Sequence, residues 1–216
     1  LTISAGIETL NVNSTGSANE IGDLVFGGTT LNITGDNNFT VDAGLDEAVS
    51  TINASTFTGK LDLTSVNDTT TPDALSGTVD VVDLTVTGGS GNDTLVLTAN
   101  AADNEILVNS GAGDDTITIG AVMANASTTL AGDVIDGGEG TDTLAGDVDV
   151  FDAGTAGYTG VTTVTGLSNV EKLSVSGFGT EANTINIANI SSDITTLVIT
   201  TAVDGATGRA LTVNAA

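Results

Sequence analysis

The sequence predicts an all-β chain wound as a parallel β-solenoid of the β-helix or β-roll kind, and three observations predict it. Apolar residues come in pairs two apart, the period of a strand with one buried face: Leu84 and Val86, Leu95 and Leu97, Ile106 and Val108, Ile117 and Ile119. The interval from each pair to the next is constant, since they begin at 84, 95, 106 and 117. Glycine-rich stretches fall on every second connection, at 88–93 and 111–115, so two strands and two corners make one coil. Strict repetition of this kind is the mark of a solenoid, in which each coil buries its apolar edge only against its neighbours.

The pattern extends in both directions. Upstream the pairs are Leu10 with Val12, Leu31 with Ile33, Phe39 with Val41, and Leu61 with Leu63. Downstream they are Leu173 with Val175, Ile185 with Ile187, Leu197 with Ile199, and Leu211 with Val213; the first three begin at 173, 185 and 197, which predicts a slightly wider coil. Helix signals are confined to LDEAV at 45–49 and the run 121–126. GIETLNVNSTG (6–16) echoes SNVEKLSVSGFG (168–179), with Glu8 and Leu10 matching Glu171 and Leu173. The organisation this suggests is an N-terminal solenoid section at 1–75, a glycine-cornered section at 76–146 and a C-terminal solenoid section at 147–216, stacked as one body. The chain opens at Leu1 with no Met or signal peptide and closes on strand-like text, as mature material or a piece of a longer protein would. Leu1 to Ile3 and Leu211 to Val213 read as strands awaiting neighbours.

Charge narrows the function classes. Only Lys60, Lys172 and Arg209 oppose 28 acidic residues, for a formal charge of -25. Nucleic acid and anionic lipid are bound through dense positive charge and are therefore poor partners for this chain. Disorder is excluded, because 39% of the residues are hydrophobic and mean hydropathy is +0.26, with Val, Ile and Leu set among Thr in strand-forming text. No stretch is long and apolar enough to span a bilayer. Cys and His are absent, which removes thiolate and imidazole chemistry and leaves oxygen ligands suited to hard cations such as calcium.

The candidate site is a motif present three times: GGSGNDTLV (88–96), SGAGDDTIT (110–118) and GGEGTDTLA (137–145). Glycines permit positive φ and close backbone approach, so each corner can turn carbonyls toward one point. Asp93, Asp115 and Asp142 then add formal charge to an all-oxygen shell of the kind calcium takes. The corner glycines are Gly88, Gly89 and Gly91, Gly111 and Gly113, and Gly137, Gly138 and Gly140, with Ser110 replacing a glycine in the middle copy. Asn92, Asp114 and Asp136 are weaker candidates, read as solvated or supporting.

These motifs resemble the RTX nonapeptide GGxGxDxUx, a calcium-binding repeat of secreted bacterial proteins. The resemblance implies calcium held between successive corners by glycine-segment carbonyls and by Asp93, Asp115 and Asp142. The chain departs from the dense, back-to-back family array, because its motifs begin at 88, 110 and 137. The second interval is longer than the first, with the extra residues falling within 121–132 as a bulged loop. The surrounding text, VSTINASTFTGKLDL (49–63) and GLSNVEKLSVSG (166–177) among it, is similar to the β-repeat body of bacterial surface-layer and large adhesin proteins that carry such motifs.

An enzyme is not expected. Without His or Cys, catalysis needs a carboxylate pair or a Lys-activated hydroxyl, and there is no GxSxG elbow, HExxH or phosphate loop. Phe26, Phe39 and Phe57 stand in strand text, where core packing is expected rather than ligand anchoring. The resemblance therefore implies a secreted, calcium-dependent structural protein of the bacterial cell surface, a subunit or segment of a self-assembling array. Its partners would be copies of itself and cell-surface polysaccharide. The alternative is an RTX-type adhesin or extracellular filament module.

Overall fold

The computed structural model describes residues 1–42, 45, 48–68, 82–99, 105–119, 134–151, 166–177, 183–200 and 211–214. They form a parallel β-solenoid of about six turns. One sheet stacks β2 (Thr9–Ser14), β5 (Thr30–Gly35), β7 (Thr51–Asn53), β9 (Val82–Thr87), β11 (Glu105–Asn109), β13 (Val134–Asp136) and β15 (Leu167–Ser168). The facing sheet stacks β3 (Asn19–Ile21), β6 (Phe39–Val41), β8 (Leu61–Asp68), β10 (Thr94–Ala99), β12 (Thr116–Ile119), β14 (Thr143–Asp147), β16 (Lys172–Ser176) and β18 (Thr196–Ile199). From β5 to β16 successive strands alternate between the two sheets, and each pairs with its equivalent one coil away.

Register follows the repeat. Leu84 pairs with Ile106 and Leu95 with Ile117, so each strand, with its one apolar pair, meets the second strand after it. Leu173 pairs with Leu197 in the same way, as the downstream spacing predicts. The inward residues form continuous files: Leu31, Ile52, Val86, Val108 and Ile135 on one sheet, and Leu63, Leu95, Ile117, Leu144 and Leu173 on the other, all buried. Each such side chain is worth roughly 1.5–3 kcal/mol of burial, and stacking makes every coil a lid on the next. Phe26, Phe39 and Phe57 are the largest fully buried side chains, filling the upstream coils.

Several expectations are corrected. Ile187 does not pair with Ile185 as an alternating strand couple. β17 (Asn183–Asn186) ends at Asn186, and Ile187 opens a single helical turn, α2 (Ile187–Ile190), which buries Ile187 and Ile190 at helical rather than strand spacing. A second turn, α1 (Val148–Phe151), buries Val148 and Phe151 in the same way. Neither turn carries a sequence signal, because so short a segment gives periodicity no room to show. Leu45 makes an isolated β-bridge and is buried, while Asp46 and Glu47 of the LDEAV signal lie outside the described residues. Each end strand has a neighbour within the chain on one side: β1 (Thr2–Ile3) pairs with β4 (Val25–Phe26), and β19 (Leu211–Asn214) with β17. The two echoing segments put Leu10 and Leu173 on different sheets, so they are not equivalent positions. The helix signal at 121–126, the loop within 121–132 and the corner at 100–104 lie outside the described residues.

Candidate metal centre

The corners that lead from the first sheet to the second lie on one edge of the solenoid, and the three glycine motifs are consecutive along it. Strand register brings Gly88, Ser110 and Gly137 into one file and Asp93, Asp115 and Asp142 into another. The longer second interval does not disturb this, since β12 and β14 pair without a register shift.

The three aspartates face inward and are at most 1% exposed. Each is tied to the backbone of a neighbouring coil. Leu61 N donates to Asp93 Oδ1 at 2.8 Å, Asp93 N to Asp115 Oδ1 at 2.7 Å, and Asp115 N to Asp142 Oδ1 at 2.8 Å. One oxygen of each carboxylate is thus spent on an amide that a tight corner would otherwise leave without a partner. The other oxygens differ: Asp93 Oδ2 accepts from Gly89 N at 3.1 Å, while Asp115 Oδ2 and Asp142 Oδ2 are buried with no hydrogen-bond partner.

A buried carboxylate oxygen without a donor is costly. Burial is the main cause that raises the Asp93 carboxyl to about 6, opposed by the Leu61 and Gly89 amides and by the positive charge of Lys60. Burial likewise raises Asp142 to about 6, with Asp115 and Glu171 adding like-charge repulsion against the pull of the Asp115 amide. Asp115 is raised by burial against the pull of the Asp93 amide. Burial and like charge thus favour the protonated form of these carboxyls, or a cation beside them, over the bare charge.

Glycine is required in the corners for close approach more than for handedness. Gly88 and Gly137 lie outside the left-handed region, yet a methyl on Gly88 would run into the Ser110 carbonyl and come within 2.9 Å of Asp93 Oδ2. Gly89 and Gly91 are likewise crowded by neighbouring carbonyls, whereas Gly111, Gly113, Gly138 and Gly140 have φ of 102, 124, 88 and 145°. Ser110 is fully buried, and its Oγ donates its one proton to Gly137 O at 2.7 Å, so the departure from glycine adds a bond between coils.

The weaker candidates stand apart. Asn92 and Asp114 form an outer column, Asp114 N donating to Asn92 Oδ1 at 3.0 Å and Thr141 N to Asp114 Oδ1 at 2.9 Å. Asp136 Oδ1 accepts from Gly138 N at 3.1 Å and from Asn169 Nδ2 at 2.7 Å. Among the described residues no three acidic side chains converge on one point, so an ion held here would take at most two carboxylates and complete its shell from carbonyls and water.

Comparison with family models, with curated proteins and with solved structures finds no match to this chain.

Sequence reasoning missed how both columns continue. Asp142 N donates to Glu171 Oε2 at 2.8 Å, placing Glu171 one coil beyond Asp142 in the inner column, where an aspartate stands elsewhere. At the other end of that column the register sets Leu61, an apolar and fully buried residue, against Asp93. Lys60 belongs to the outer column, one coil before Asn92. Its amide donates to Asn38 Oδ1 at 3.0 Å, repeating the bond that Asp114 N makes to Asn92, and its Nζ is 3.0 Å from Asp62 Oδ2. Glu171 was visible only as an echo of Glu8; its place in the column needs the register that joins Leu144 to Leu173.

Proposed function

We propose that this chain is a calcium-dependent structural segment of a bacterial cell-surface array, with calcium bound between coils at the glycine corners through Asp93, Asp115, Asp142 and neighbouring carbonyls. The observation that carries the reading is the line of buried carboxylates stacked one coil apart, two of them with an oxygen that no protein donor reaches. A hard divalent cation between coils supplies the missing charge and prefers oxygen ligands. Ions that bind only the folded state stabilise it by mass action, so calcium outside the cell would lock the solenoid.

The array part of the reading rests on the outer faces. Between corners they carry short polar side chains in files, Thr94, Thr116 and Thr143 on one sheet and Thr9, Thr30 and Thr51 on the other. Asn32 Nδ2 donates to Asn11 Oδ1 at 2.8 Å along that second face. Flat parallel faces of this kind suit side-by-side contact between copies, while the acidic edges would need cations to bridge them. The test is sedimentation and negative-stain imaging of the protein across a calcium titration. Ordered sheets or filaments in millimolar calcium that disperse in chelator are expected; a calcium-loaded, folded protein that stays monomeric at high concentration would overturn the array and favour an adhesin module.

A further inference from the structure

The row of corner carboxylates does not stop at the last glycine motif. Asp142 Oδ2 is fully buried and has no donor, because Gly138 N, whose counterpart Gly89 N serves Asp93, bonds to Asp136 instead. The corner one coil on is Asn169, Val170 and Glu171, which contains no glycine. Its geometry nevertheless repeats that of the first junction. A methyl on Gly137 would run into the Asn169 carbonyl and come within 2.8 Å of Asp142 Oδ2, as one on Gly88 would meet the Ser110 carbonyl and come within 2.9 Å of Asp93 Oδ2. Glu171 Oε2 takes the Asp142 amide at 2.8 Å, as Asp115 Oδ1 takes the Asp93 amide at 2.7 Å.

Asn169 is held where this requires. It is the one non-glycine residue with positive φ among the described residues, at 52°, a conformation Asn tolerates better than most. Its side chain donates to Asp136 Oδ1 and its amide faces Asp193 Oδ2 at 3.3 Å, so both neighbours fix the turn that aims its carbonyl at Gly137.

We propose that the third glycine corner and this motif-free corner together form a further divalent-cation site, with Asp142 Oδ2, the Asn169 carbonyl and the Glu171 carboxylate as its protein ligands. The proposal rests on the calcium reading above and extends it beyond the motif. Two carboxylates match the charge of one calcium ion, and water fills the remaining places in its oxygen shell. The opposite end of the column has no such site, since the apolar Leu61 stands where the next carboxylate would and Lys60 beside it brings a positive charge of its own.

The test counts calcium bound per chain by equilibrium dialysis and calorimetry with calcium chloride, on the full chain. Glu171→Gln keeps an acceptor for the Asp142 amide and removes the charge; it is expected to lose one calcium per chain, or to bind one at least tenfold more weakly, leaving the others unchanged. Glu171→Asp keeps the charge but falls short by a methylene, and carries the same test, with one weakened site, if the glutamine variant does not fold. Asp115→Asn reports separately on the junctions between motifs. Glu171 variants that bind as wild type does while Asp115→Asn loses calcium would overturn the further site and leave the motif sites standing. A wild-type chain that binds no calcium would overturn both.

Discussion

Asp142→Asn separates a metal ligand from a purely structural carboxylate, because the two roles predict different signs. Asparagine keeps the Oδ1 that accepts the Asp115 amide, so the hydrogen bond between coils survives the change. What is lost is a buried charge. In calcium-free protein that charge is a liability: burial and the Asp115 and Glu171 carboxylates move the Asp142 carboxyl from 3.8 to about 6. Holding it ionised at neutral pH costs about 1–3 kcal/mol once solvent screening is allowed for. Removing the charge is therefore expected to stabilise the calcium-free chain by that amount, which for a chain of this size raises the melting temperature by about 2–4 °C per kcal/mol. In millimolar calcium the sign inverts, because the variant loses a charged ligand and with it the mass-action stabilisation, about 2.7 kcal/mol for an ion present at a hundred times its dissociation constant. Thermal and urea unfolding of wild type and variant, in chelator and in calcium, give the four values needed. A shift of the same sign in both conditions would refute the reasoning and leave Asp142 as a hydrogen-bonding strut.

The raised Asp93 and Asp142 carboxyls set a pH dependence: the folded state binds protons more tightly than the unfolded chain, so calcium-free stability is greatest below about 4 and is lost as pH rises through about 6. Melting temperatures in chelator should fall between pH 5 and 7, and the fall should shrink in the Asp142→Asn variant; with calcium present, protons compete with the ion and the trend reverses. Leu95→Asp places a charge at a fully buried point in the file between Leu63 and Ile117, and should cost several kcal/mol and unfold the chain even in saturating calcium, read by circular dichroism. Gly88→Ala should destabilise by about 1–3 kcal/mol through overpacking against the Ser110 carbonyl, whereas Gly27→Ala, with open space around it, should leave urea unfolding within about 0.5 kcal/mol of wild type.

The solenoid was legible from residues alone because a strand's alternation and the coil's longer repeat are both local facts of spacing. The even spacing of Leu84, Leu95, Ile106 and Ile117 matches the register, in which Leu84 stacks on Ile106 and Leu95 on Ile117. The glycine-aspartate corners were legible for the same reason, lying in phase with those strands. Other features required the fold. Which oxygen of Asp93, Asp115 or Asp142 finds a donor depends on an amide one coil away, and Ser110 looks like a flaw in its motif until its hydroxyl is seen on the Gly137 carbonyl. Glu171 shares no motif with Asp142, nor Lys60 with Asn92, and the coils that separate them differ in length from the glycine-cornered ones. Only strand pairing shows that each couple occupies one file, and that an apolar Leu61 closes the row of carboxylates at its far end. Sequence determined what each coil buries and where it turns; tertiary structure decided which coil stands next to which, and with it which buried carboxylate is left without a partner.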